Sequence, residues 1–382
     1  MKTTKIYISA LMAVCAASAA QADESPVALV DYNGTKTYNE DTTFSHVGVG
    51  YSGGTGTVTV NGVATINSTL PYVLSNGNKR FQCQIQNGST FEADSIVFNG
   101  IESDTYPCGF TIHGTVKTDS LTVSNSADKG TTITITNTGK IVSSSGTPGI
   151  LTIGENTTMR VQGSHNEYID GTSATYIPVV ELDINVNGGT LTVQEYVELA
   201  DIMLNSGTAS IDKNSTVGDI TLNAGTLTLK DGAAVSGITM GSSVVALTDG
   251  VTTDTSVLNI SGDVKTGALT LNSGTVNFEE GASIDLGGED LFLSSLVDVN
   301  LSVDSFDNIE DVALFTNAKS ADGLDNLSVT FTDAEGVTKA ATLSYGSDGS
   351  VVANIPEPNA FGLLAGLGAI ALAVSRRRVK KA

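Results

Sequence analysis

Tryptophan is absent from this 382-residue chain, and cysteine and histidine occur three times each. With so few thiols and imidazoles, none of them clustered, the sequence offers no His/Cys ligand set for a metal centre. Proline is scarce, at 7 residues, and helical periodicity is nearly absent. Basic residues are few as well: 19 Lys+Arg face 41 Asp+Glu, for a formal net charge of -22. Lys2, Lys5, Arg376, Arg377, Arg378, Lys380 and Lys381 stand at the two ends, so the stretch between them is more acidic still. Such a surface repels nucleic acid and anionic lipid, stays soluble by self-repulsion and attracts divalent cations only diffusely. No nucleic-acid partner and no cofactor are expected.

What the chain does have is 41 glycines among abundant Thr, Ser, Val, Ile and Asn, an all-β composition of short strands and tight turns. Alternating runs such as Thr57-Val58-Thr59-Val60, Val63-Ala64-Thr65-Ile66 and Ser95-Ile96-Val97-Phe98 are broken by Asn61-Gly62, Asn76-Gly77, Asn87-Gly88 and Asn99-Gly100. Asn and Gly tolerate the positive φ such turns require.

From Asp183 a repeat of 18 residues can be laid out by counting. Asp183-Ile184-Asn185-Val186-Asn187-Gly188-Gly189-Thr190-Leu191-Thr192-Val193 is followed by copies beginning at Asp201 and Asp219, and a fainter one at Gly237-Ile238. The copies align into apolar columns: Ile184, Ile202, Ile220, Ile238; Val186, Leu204, Leu222, Met240; and Val193, Ile211, Leu229, Leu247. A turn column runs Asn187, Asn205, Asn223, Gly241, and two positions on Gly189, Gly207, Gly225, Ser243. Alternation sends the apolar residues to one face of each strand, and equal spacing sets each above its predecessor if one repeat is one coil. A coil this short cannot bury its own apolar face and gains a core only by stacking at the ~4.8 Å strand spacing, which predicts a parallel β-solenoid. The clearest repeats cover 183–254. Earlier strands around Ile96, Leu121 and Leu151 are more loosely spaced, and 163–178 should protrude as a loop. From about Leu291 the period dissolves into longer strands, read as a terminal β cap that closes the last edge.

Chemistry is thin along this scaffold. His46, His113 and His165 lie in three local contexts with no repeated partner. Asp-Asp and Gly-His-Gly, features of solenoid pectin hydrolases, do not occur. Asp183, Asp201 and Asp219 recur at a strand entrance, as a structural turn column would. Asp304, Asp307, Glu310 and Asp311 make the densest acidic cluster, but without the spacing or glycine of the twelve-residue calcium loop it reads as a solvated turn. No glycine stretch is followed by the helix and Lys of a phosphate loop. No catalytic residue and no metal ligand are assigned. A row of Thr190, Thr208 and Thr226, with Thr192, Ser210 and Thr228 beside it, reads as an outward polar stripe; flat Thr arrays can also order water at ice.

The two ends carry addresses. Lys2, Lys5, an apolar core from Ile6 to Ala17 and Ala20-Gln21-Ala22 form a signal peptide, with cleavage expected between Ala22 and Asp23. Cys15 leaves with it, since Val14 occupies the place where lipid attachment needs a small residue. Cys83 and Cys108 then remain, and in an exported chain they are expected to form one disulfide, worth ~3 kcal/mol, with two free thiols as the competing reading. At the other end Ile355-Pro356-Glu357-Pro358-Asn359 precedes an uncharged run from Ala360 to Val374 and then Ser375-Arg376-Arg377-Arg378-Val379-Lys380-Lys381. That run spans roughly 22 Å as a helix, short of the ~30 Å hydrocarbon core, so it would be a marginal membrane resident held by its basic flank on the cytoplasmic side.

This tail resembles the PEP-CTERM sorting signal of Gram-negative bacteria, with Pro356, Glu357 and Pro358 as the box and Arg376, Arg377 and Arg378 in the basic end. The resemblance covers the tail alone; the same tail is sometimes labelled an ice-binding-protein C-terminal domain, and the ectodomain looks like an autotransporter-like β-solenoid. It implies recognition by an exosortase, a membrane-bound cysteine transpeptidase-like enzyme, together with the export machinery and a transient stay in the inner membrane. The expected layout is a signal peptide at 1–22, a solenoid at 23–290, a β cap at 291–354 and a sorting signal at 355–382, with a transmembrane segment at 360–374 and a basic tail at 376–381. The expected role is a non-enzymatic adhesin or matrix protein at the cell surface that meets extracellular polysaccharide or host glycan. A glycan-active solenoid enzyme is the alternative, and an ice-binding solenoid a lesser one.

Overall fold

The computed structural model describes residues 27–50, 54–68, 72–73, 79–80, 82–100, 108–125, 130–136, 138–167, 173–241, 256–294, 297–306 and 311–355. The expected signal peptide, with Ala20, Ala22 and Asp23, and the expected transmembrane segment 360–374 lie outside them. Among the described residues no helix is long and apolar enough to cross a membrane.

The chain folds as a parallel β-solenoid. Each coil has three extended sides. In the clearest coil Val179–Val180 forms one side, and Asp183–Val193 bends between Asn187 and Thr190 to supply the other two. The next coils repeat this as Glu198–Leu199 with Ile202–Ile211, then Thr216–Leu222 with Gly225–Lys230. Pairing that is parallel everywhere except at the last two strands joins 32 strands into one hydrogen-bonded stack.

The register makes the apolar columns continuous far beyond the counted repeat. On the first long side Ala64, Ile96, Leu121, Leu151, Ile184, Ile202, Ile220, Ile238, Leu269 and Leu291 follow one another as direct partners. All are buried, as are the Val186, Leu204, Leu222 and Met240 of the second column. Full burial of each such side chain contributes about 1.5–3 kcal/mol, so every coil holds its neighbours. Leu247, expected in the third column, lies outside the described residues, and Ile260 holds the place after Leu229. Likewise Ser256, not Ser243, follows Gly225. The reason is an insertion between Ala234–Met240 and Ser256–Ser261, which displaces the next strand along the sequence without disturbing the stack.

The corner between the two long sides needs glycine. Gly225 has φ 92°, and a Cβ there would lie 2.4 Å from the carbonyl oxygen of Gly207 one coil before. Insertions leave the stack as ornaments: the expected loop at 163–178 contains an antiparallel pair, Ser164–Glu167 with Ser173–Tyr176.

Parallel stacking does not stop near Leu291. Asp290–Leu293 pairs with Ser320–Asp322, and Val297–Val303 with Ser328–Asp333, both in parallel. The cap is smaller than the 291–354 span suggested by the loss of period, because the longer turns hide strands that still stack. It consists of Thr338–Tyr345 and Val351–Asn354, laid antiparallel across the end. Ser328–Asp333 pairs with Thr338–Tyr345, which pairs with Val351–Asn354, which pairs with Val312–Thr316. The cap thus ties the second long side to the short side.

The register also bears on the expected Cys83–Cys108 disulfide. Cys83 is opposite Phe110, two residues beyond Cys108. Two residues along and one strand across separate the Cα atoms by about 8 Å, beyond the ~7 Å that a disulfide can bridge. Cys83 is a core residue, fully buried in the column that continues through Phe110 and Ile133, with its Sγ 3.4 Å from the donating Val47 nitrogen.

Candidate functional site

Two features of this rod bear on function: the junction with the tail and the outward rows of the long sides. At the junction, Val351–Asn354 is alternately buried and half-buried, as a strand with one face on the core requires. Ala353 lies opposite Leu343 on one side and Val312 on the other, and Val351 opposite Tyr345 and Phe315. Val351 and Ala353 are fully buried, and Ile355 packs against the same core. Asn354 donates its side-chain amide to Ser344 Oγ at 3.0 Å. The folded body therefore runs up to Ile355, next to Pro356 in sequence. Pro356, Glu357, Pro358, Arg376, Arg377 and Arg378 lie outside the described residues.

Residues 354–378 match the PEP-CTERM protein-sorting motif. The tail is a sorting signal. A PEP-CTERM tail marks the chain as an exported protein with a membrane-anchored stage, sorted by an exosortase in Gram-negative cells. The match begins inside the last cap strand, so Asn354 and Ile355 belong both to the folded cap and to the motif. No curated protein and no solved structure is significantly similar to the chain.

On the second long side the outward row adjoining the core column reads Thr111, Thr134, Arg160, Thr192, Ser210, Thr228, Asn259, Asn277, Asn300 and Thr330 from coil to coil. Beside it run Thr132, Thr158, Thr190, Thr208, Thr226, Val257 and Thr275. The Thr row counted from the repeat is thus longer than three coils, and it passes into an Asn ladder that the sequence reading missed. Asn277 donates to Asn259 Oδ1 at 2.8 Å, and Asn300 donates to Asn277 Oδ1 at 3.0 Å. The 18-residue step between Asn259 and Asn277 was the available signal. A second ladder crosses the turn column, from Asn223 to Asn205 at 2.8 Å and from Asn205 to Asn187 at 2.9 Å.

The titratable groups are spread along the rod. His46 lies in Thr42–Val49, His113 after Cys108–Ile112 and His165 in Ser164–Glu167. His113 meets the Thr136 hydroxyl through Nδ1, and burial lowers its pKa. The Asp column is structural, as expected: Asp201 Oδ1 accepts the backbone N–H of Asp219 at 2.8 Å. Asp183, at the head of that column, has its pKa raised by burial and by the charge of Asp201. Of the acidic cluster, Asp304 and Asp311 are described, and among the described residues no group of three or more such side chains could hold a metal ion. Asp304 hydrogen-bonds Glu280 and raises its pKa, beside a cleft of ≈ 370 Å³ walled by Phe278, Leu301, Val312 and Leu314. Both carboxyls are exposed to solvent.

Proposed function

We propose that this exported protein is a non-enzymatic surface or extracellular-matrix component, an adhesin or structural rod, whose outward rows contact extracellular polysaccharide or host glycan. The observation that carries this reading is the pair of hydroxyl and amide rows on the second long side, repeated at each ~4.8 Å coil step along a rigid core. Each hydroxyl or amide offers one weak, water-competed hydrogen bond of about 0.5–1.5 kcal/mol, so binding would come from many such contacts at once along an extended chain. The negative charge of the body favours neutral or cationic glycans over polyanionic ones.

A glycan-active enzyme is the second reading, favoured by the Glu280–Asp304 pair beside its cleft. For ice binding, Arg160 and Val257 interrupt the hydroxyl rows, which supports glycan contact instead. Incubating the exported protein with a glycan panel separates the readings. Retention without turnover supports the adhesin. Turnover abolished in Glu280→Gln identifies an enzyme, and thermal-hysteresis activity without glycan retention identifies an ice binder.

A further inference from the structure

We infer that processing of the tail breaks no bond before the one that follows Ile355, and that the strand Val351–Asn354 stays paired in the mature protein. The inference rests on the sorting reading and adds to it the place where the folded body limits the enzyme. Val351–Asn354 is not an edge strand: it hydrogen-bonds to Thr338–Tyr345 on one side and Val312–Thr316 on the other. It is the link through which the antiparallel cap joins the second long side to the short side of the last coil. A protease or transpeptidase binds its substrate as an extended, unpaired segment. A bond inside 351–354 offers no such segment, because Val351, Val352 and Ala353 have strand partners on both sides and Asn354 is paired with Thr342. Losing the strand would also uncover Phe315, Leu343 and the backbone edges of two strands, an invitation to aggregation at that end of the rod.

Ile355 extends this limit by one residue. Its side chain packs on the core, whereas the residue after it is Pro356, which has no N–H to pair and opens the box. The cap therefore presents the Pro-Glu-Pro box with no linker between it and the folded body. In the cut, one peptide C–N bond C-terminal to Ile355 breaks. Its acyl carbon passes to water, giving a carboxylate, or to an acceptor amine, giving a new amide, and the tail leaves with the freed amino group.

The test is the mass of the C-terminal peptide of surface or shed protein from a strain that carries the sorting enzyme, with hydrogen exchange measured on the same material. The expected result is an end at Ile355 or later, with protected amides at Val352 to Asn354. An end at or before Asn354, or rapid exchange across those amides, would overturn the inference while leaving sorting intact. Surface protein that still carries Arg376 to Ala382 would overturn the sorting reading and the inference with it.

Discussion

Ile220 is the direct register partner of Ile202, and both side chains are 1% exposed. A carboxylate placed in this column has no cation to meet and two apolar neighbours above and below. Ile220→Asp should cost several kcal/mol, on the order of the 3–5 kcal/mol seen for an uncompensated buried charge, and should melt adjoining coils. Thr208 points outward, with its hydroxyl 3.3 Å from that of Thr190, so Thr208→Asp should change stability by no more than about 1 kcal/mol. Thermal melts of the two variants provide the comparison; equal losses would contradict the inward and outward assignment.

The amide of Asn277 both donates to Asn259 and accepts from Asn300. Asn277→Ala removes two hydrogen bonds and leaves half-buried partners on both sides. A loss of roughly 1–3 kcal/mol in denaturant unfolding is expected, with faster amide exchange in Ser256–Ser261 and Val297–Val303 than at the far end of the rod. A uniform change along the whole chain would show that the ladder does not act locally.

Because Cys83 faces Phe110 across the strand pair, the purified protein should give no Cys83–Cys108 cross-link in a non-reducing peptide map. Its melting temperature should be the same with and without reductant. A fall on reduction would contradict the register at this coil.

These cases show what the sequence made legible. The columns through Ile184, Ile202 and Ile220 could be counted because three coils in succession have equal turns. Ile96, Leu121 and Leu151 stack in the same column, but unequal turns between them hide the alignment. Leu247 was misplaced for the same reason: an insertion moves the strand that reaches the column, and hydrogen bonding rather than spacing selects Ile260. The cap was legible as strands after 291 but not as an antiparallel bridge, since strand direction leaves little trace in composition. The sorting box was legible outright, because it is read as a short linear signal, whereas its attachment to the cap through Ile355 is a packing fact.

Asp119 anchors the turn after Lys140–Val142 by accepting the Ser144 and Ser145 backbone N–H groups at 2.8 and 3.0 Å and the Ser143 hydroxyl at 2.8 Å. The backbone bond from Ser145, then the Ser143 hydroxyl, hold its carboxyl well below the usual carboxylate range. A pKa lower in the folded than in the unfolded chain means stabilisation that is complete above the ordinary Asp value of about 3.9 and is lost as pH falls towards the folded value. Amide exchange at Ser144 and Ser145 should therefore accelerate, after correction for intrinsic rates, on acidification below about pH 4. In Asp119→Asn that acid-induced step should disappear. Unchanged behaviour in the variant would remove Asp119 as the anchor.

A stacked β-solenoid that reaches its destination through the signal beginning at its last cap strand should depend on that signal for release from the membrane. A pulse-chase of wild type against a variant with Pro356, Glu357 and Pro358 all replaced by alanine, followed by membrane and surface fractionation, tests it most directly. Wild type should shorten and leave the membrane fraction while the variant persists there at full length, with its solenoid still folded. Equal shortening and equal surface delivery of the variant would contradict it.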